Sequence, residues 1–228
     1  LFGDVTLLGK SVNETFGASL MLGIKKNAWY TKLRYSEQRF GDYRIPADTI
    51  IYLTQKIPVR GRRLKNTAGW ERNINFFTQY QKKGYKSNYA VSNVFQKTGF
   101  FPGAHGIPDV SRLEDDGDSR NIELPYSKVN HLKVTTHQQY VWEKFILSGD
   151  MGYTHYGSQP LPQTNPDKEL GFNLNTFSFS AIGRLIGSSF WEHRMGWDSQ
   201  FQRNTISGYS FLLPEYERFT TGVSWLTT

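Results

Sequence analysis

The chain has 228 residues, a net charge of +7, no cysteine and 38% hydrophobic residues. It is long enough to bury a sizeable core, but helical membrane spans are excluded. Each would need roughly 20 mostly apolar residues in a row, and the apolar runs here are short, such as Phe211 to Leu213. The lack of cysteine removes thiol catalysis, Cys-ligated zinc and iron–sulfur chemistry together.

The leading signal along the chain is a period of two, which sorts side chains onto the two faces of a strand. In chain order it predicts strands over 17–25, 28–36, 67–81, 85–97, 130–142, 145–154, 174–185, 190–202 and 219–227. In 28–36, Trp29, Thr31, Leu33 and Tyr35 oppose Tyr30, Lys32, Arg34 and Ser36. In 67–81, Trp70, Ile74, Phe76 and Tyr80 oppose Glu71, Asn73, Asn75, Gln79 and Gln81, with Arg72 and Phe77 each breaking its face. The clearest case is 190–202. There Trp191, His193, Met195, Trp197 and Phe201 oppose Glu192, Arg194, Asp198, Gln200 and Gln202.

Several of these segments exceed the roughly 5 or 6 residues of an ordinary globular strand and reach the roughly 9 to 11 that cross a bilayer at a tilt. The connections alternate in length. Short turns lie near 25–27, 82–84, 143–144 and 187–188, and long segments lie at 37–65, 98–128, 157–172 and 204–218. Outer-membrane barrels have this rhythm, with short periplasmic turns and longer extracellular loops. The aromatic content of 15% suits the girdles such barrels carry at both interfaces. The expected fold is therefore all-β, an antiparallel transmembrane β-barrel in a bacterial outer membrane, with residues 1–228 forming part of one barrel domain. The count of about nine strands is odd, whereas single-chain bacterial barrels have even numbers. The ends, Leu-Phe-Gly-Asp and Trp-Leu-Thr-Thr, read as cut edges of a longer chain.

The long segments carry distinctive motifs. They read Gly-Asp-Tyr-Arg-Ile-Pro-Ala-Asp at 41–48, Gly-Phe-Phe-Pro-Gly-Ala-His-Gly-Ile-Pro-Asp at 99–109 and Asp-Asp-Gly-Asp-Ser-Arg at 115–120. Val-Asn-His-Leu-Lys follows at 129–133, and Gly-Tyr-Ser-Phe-Leu-Leu-Pro-Glu-Tyr at 208–216. Across nearly its whole length the chain resembles the middle of the barrel of TonB-dependent outer-membrane receptors of the iron-complex or siderophore-type subgroup. The resemblance implies a large barrel of typically about 22 strands, filled by an N-terminal plug whose TonB box couples import to the inner-membrane proton gradient. Neither plug nor TonB box lies in these residues, and the first and last barrel strands are also expected elsewhere. The implied partners are the TonB complex acting through the plug, outer-membrane lipid and lipopolysaccharide, and an iron chelate or other scarce nutrient. An accessory surface lipoprotein is left open.

Candidate ligand contacts lie mostly in the long segments. The 98–128 segment holds His105, Asp109, Arg112 and Arg120. Arg suits carboxylate or catecholate oxygens through its planar fork, and His suits haem iron. The alternative is a loop packed on itself by its Pro and Gly turns. Tyr43 and Arg44 precede Ile45-Pro46, which favours extended backbone, so Arg44 is either aimed over a barrel mouth or part of its rim. His131 falls on the inferred lumenal face with His137. The two are about six residues and roughly 20 Å apart along the strand, so they cannot share a metal, and polar lumen lining is the simpler role. Asp115, Asp116 and Asp118 around Gly117 lack EF-hand spacing and read as a solvated acidic turn. No metal site, no resident cofactor and no catalytic constellation is expected, since G-x-S-x-G, H-E-x-x-H and Walker A motifs are all missing.

No nucleic-acid partner is expected either, because the lysines and arginines are scattered rather than gathered into one patch. An anionic ligand or a lipopolysaccharide surface accounts for the positive charge equally well. Two other readings compete. A complete small barrel, an adhesin or porin, needs an even strand count and closure between first and last strands. A soluble carbohydrate-binding module needs Trp191, Met195 and Trp197 buried in a core.

Overall fold

A computed structural model describes residues 1–52, 54–102, 113–114, 117–161, 171–188, 191–207 and 214–228. Ten long strands form one antiparallel sheet in simple up-and-down order. They are β1 (Phe2–Lys10), β2 (Thr15–Lys26), β3 (Trp29–Phe40), β6 (Gly69–Lys82), β7 (Tyr85–Gly99), β8 (Tyr126–Val141), β9 (Phe145–Leu161), β10 (Gly171–Ser188), β11 (Trp191–Ser207) and β12 (Tyr216–Thr227). A small hairpin, β4 (Thr49–Tyr52) and β5 (Gln55–Pro58), is inserted in the connection from β3 to β6. The expectation of about nine strands is corrected, because β1 and this hairpin are additional.

The strands also run further into the long connections than expected. β3 continues to Phe40, β9 to Leu161 and β11 to Ser207. Near 37–40 the side chains Glu37, Gln38 and Arg39 are polar on both faces. Alternation disappears there, yet backbone pairing with β6 continues through Phe40↔Gly69. The alternation of connections holds. Lys83 (φ 40°) and Gly84 (φ 75°) join β6 to β7. Two residues of positive φ in a two-residue hairpin are what a type I′ turn requires.

The register sorts the sheet into alternating rows. Leu22, Leu33, Phe76, Val91, Val134, Tyr153, Phe177, Phe201 and Phe219 are partners in succession from β2 to β12. The adjacent row on the opposite face reads Met21, Arg34, Asn75, Ser92, Lys133, Thr154, Thr176, Gln202 and Arg218. One face is thus an apolar band and the other is polar.

Nothing among the described residues packs on the apolar band. Trp191, Met195 and Trp197 are 60%, 56% and 50% exposed. The described buried apolar side chains Ile57, Val59, Ala68 and Leu113 all lie in the connections at one end of the sheet. Soluble monomers rarely leave contiguous apolar patches larger than a few hundred Å² in water. The ten-stranded layer thus has one apolar face without a packing partner among the described residues.

The band slopes across the sheet. At its short-turn edge the aromatic rings form a chain. Trp29 lies 4.9 Å from Tyr80, Tyr80 lies 6.1 Å from Tyr85, and Tyr85 lies 6.1 Å from Tyr140. Tyr140 then lies 4.0 Å from Trp142, and Trp142 lies 5.4 Å from Phe145. Relative to the Leu33–Val134 row, this edge sits nearer on β3 and further away on β8.

The sheet is open. β1 pairs with β2, β12 pairs with β11, and the described residues contain no pairing between β1 and β12.

Candidate functional site

Residues 11–14, 41–52, 54–68 and 117–125, all in connections, meet at the end of the sheet opposite the short turns. Three backbone hydrogen bonds tie them. Gly41 donates to Asn13 O at 2.7 Å, Asp42 to Ser119 O at 2.7 Å, and Arg44 to Val12 O at 2.9 Å. Two buried side chains organise the rest. The Asp42 carboxylate is 1% exposed and accepts the Thr67 N–H at 2.6 Å and the Ala68 N–H at 2.9 Å. Asn66 holds φ 60°, a left-handed conformation that Asn tolerates better than most residues. Its amide donates to Phe100 O at 3.0 Å and Pro125 O at 2.9 Å, and its oxygen accepts the Glu123 N–H at 2.8 Å. These two residues bind the β3–β6 and β7–β8 connections into one scaffold.

Glu14, in the β1–β2 turn, is the charged centre of this scaffold. Arg63 donates to its carboxylate, Arg44 lies at 3.2 Å, and Arg120 donates to the Glu14 carbonyl at 2.9 Å. The hydrogen bond from Arg63 holds the Glu14 carboxyl below the ordinary carboxylate range, and the charges of Arg63, Arg44 and Arg120 act in the same direction. Asp48, on the β3–β6 connection, is lowered by its hydrogen bond and ion pair with Arg62.

The structure brings three of the expected ligand contacts together here. Tyr43 donates its N–H to Thr67 Oγ1 at 2.8 Å, and its half-exposed ring lies 6.4 Å from Phe40. Arg44 forms an isolated bridge with Arg63 and pairs with Glu14. Arg120 reaches the Glu14 carbonyl. His131 stands elsewhere, on the polar face of β8, edge-on to Tyr156 at 5.6 Å. Tyr156 in turn lies 5.6 Å from Phe172. His105, Asp109 and Arg112 lie outside the described residues, as do Asp115 and Asp116.

The other histidines have local partners. His137 bonds Asp150 at 2.8 Å, His155 bonds Asn175 at 2.9 Å, and His193 bonds Thr227 at 2.9 Å. Among the described residues no group of three His, Cys, Asp or Glu is placed to hold a metal. Glu14, Asp42, Arg63 and Asn66 were not singled out by sequence reasoning. The one signal that could have found Asp42 and Asn66 is their turn-forming character.

The polar face carries Lys32, Arg34, Lys133, Arg184, Arg194 and Arg218, with fewer acids facing the same way. Arg34 pairs with Asp4 at 3.1 Å and Arg184 with Glu192 at 2.6 Å. A cleft of about 440 Å³ includes Lys32, Arg34 and Lys133 in its lining. Phe77, which broke the polar pattern, stands edge-on to Tyr30 at 6.1 Å, with the Lys32 amine 5.5 Å from its ring centre. Arg72, which broke the apolar pattern, lies 5.0 Å from the Trp70 ring centre and 3.4 Å from Glu37, at the long-loop edge of the band. No protein-family model matches the chain, and no curated protein matches it at a significant level.

Proposed function

We propose that this chain is part of the barrel wall of an outer-membrane receptor that takes up a scarce nutrient, an iron–siderophore or haem complex first among them. The observation that carries the reading is the single-layer sheet with an apolar band on one face and a polar, positively charged lining on the other. Lipid against the band removes the cost of leaving it in water. The unpaired outer edges of β1 and β12 then need strand partners, because unpaired backbone groups cost several kcal/mol each in a bilayer. Further strands completing a barrel of about 22 would satisfy them. In this reading the scaffolded long connections face outward and capture the ligand. The excess of Lys and Arg on the polar face favours an anionic chelate, and TonB-driven movement of a plug opens the path inward.

Two features weigh against the competing readings. A soluble binding module requires Trp191, Met195 and Trp197 in a core, and all three are exposed. A small complete barrel requires β1 to pair with β12, and no such pairing is present among the described residues.

The test is uptake. Cells lacking this protein should lose accumulation of one of three labelled cargoes (ferric siderophore, haem or cobalamin), and a protonophore should abolish that uptake in the parent. Unchanged accumulation of all three would contradict the receptor reading.

A further inference from the structure

From β3 to β8 the apolar face ends, on the long-connection side, in a row of three cations and one indole. Arg39, Trp70, Lys97 and Lys128 are successive register partners on β3, β6, β7 and β8. All four share the face that carries Leu33, Phe76, Val91 and Val134. They stand about six residues, roughly 20 Å of strand, from that row. With strands tilted by roughly 40° the rise is about 15 Å, which is half of a hydrocarbon core of about 30 Å. On β8, Val134 stands midway between Tyr140 of the aromatic edge and Lys128, so Lys128 and its register partner Lys97 lie at headgroup depth.

The charges there are poorly balanced. Arg39 and Arg72 share one carboxylate, Glu37, at 2.9 and 3.4 Å. Lys97 and Lys128 are register partners, and both amines gather on the Tyr126 ring, 4.1 and 5.5 Å from its centre. Among the described residues neither amine has a carboxylate within ion-pair distance. Two ammonium groups held side by side repel each other unless an anion lies between them. On the same face toward the middle of the band, Phe95 and its partner Asn130 come next, then Asn93 and Leu132, so Phe95 offers apolar surface directly beneath Lys97.

Building on the membrane reading above, we propose that Lys97 and Lys128 bind the phosphate of an anionic lipid headgroup in the leaflet facing the long connections. A lipid fits both parts of the site. Its phosphate meets the amines, and its acyl chains lie along Phe95 and Leu132.

The test uses the protein purified in detergent from its source membrane and transferred to phosphatidylcholine vesicles with or without phosphatidic acid. Lipids retained after re-extraction are counted by native mass spectrometry. The proposal predicts retention of phosphatidic acid over phosphatidylcholine. That preference should fall about fivefold for each of Lys97→Gln and Lys128→Gln, at the strength expected of one cation near a charged surface. The Lys97→Arg/Lys128→Arg protein should keep the preference, and Lys26→Gln/Lys82→Gln at the opposite edge should leave it unchanged. Equal retention of the two lipids, or a preference indifferent to Lys97 and Lys128, overturns the site and leaves the membrane reading standing. Failure to enter phosphatidylcholine vesicles at all overturns both.

Discussion

The indole of Trp29 and the ring of Tyr80 meet 4.9 Å apart, inclined by 54°, on two strands that are distant in sequence but neighbours in the sheet. This contact opens the aromatic chain that runs to Phe145 and marks the short-turn edge of the apolar band. It also shows how the band is bounded, by amphipathic rings on this side and by the cationic row on the other.

A bounded band predicts depth-dependent costs. Val134→Arg, in the middle row, should destabilise the protein in lipid by about 2–4 kcal/mol, and Asn130→Arg, near the cationic edge, by about 0–1 kcal/mol. Denaturant unfolding in vesicles measures both. Equal costs would mean that no lipid gradient acts along β8.

The Asp42 carboxylate should hold the scaffold of long connections together. Asp42→Ala removes the acceptor of two buried or half-buried amides, and hydrogen bonds to a charged group contribute about 1.5–3 kcal/mol each. Amide exchange at Thr67 and Ala68 should accelerate by at least tenfold, with exchange in the middle of β7 unaltered.

Glu14 gives that scaffold a pH dependence. Its carboxyl is held below the ordinary range by Arg63 first. The stabilisation is therefore complete above the unfolded carboxylate value and is lost as pH falls through the lower, folded value. Limited proteolysis within 41–68 should be slow at neutral pH and should quicken below about pH 4. In Glu14→Gln, cleavage should be faster at neutral pH and should rise less steeply across this window, the remaining rise coming from Asp48.

Gly84 combines φ 75° with a Cβ position only 2.6 Å from the Val141 carbonyl oxygen. Gly84→Ala should cost about 1–3 kcal/mol, from left-handed strain and from displacement of the neighbouring turn. Refolding yield in detergent micelles checks it, with Lys83→Gly as the variant expected to be tolerated.

The strands that sequence revealed are those whose two faces differ, such as β11 with Trp191, Met195 and Trp197 against Glu192, Arg194 and Asp198. β1 was missed because Gly3 and Gly9 dilute its apolar face and Leu8 sits on the other. The hairpin β4–β5 was missed because it is short and lies inside a long connection, where only packing around Ile57 selects it. The grouping of Tyr43, Arg44 and Arg120 was not legible either. It depends on Glu14 and Arg63, which are far apart in sequence and meet only when three connections fold over one end of the sheet. Arg72 and Phe77 broke the alternation for reasons that only register discloses. One lies at the edge of the band, and the other belongs to an aromatic group on the polar face.

The central claim is that the face bearing Leu132, Val134 and Thr136 lies in lipid while Lys133 and Thr135 face water. Because the chain contains no cysteine, single cysteines can be placed at each position from 130 to 137, spin-labelled, and probed with oxygen and a water-soluble nickel chelate in vesicles. The account predicts a period of two, with oxygen favoured at 132, 134 and 136 and nickel at 133 and 135. Uniform access to nickel along the strand, or protection from both reagents on the apolar face, would contradict it.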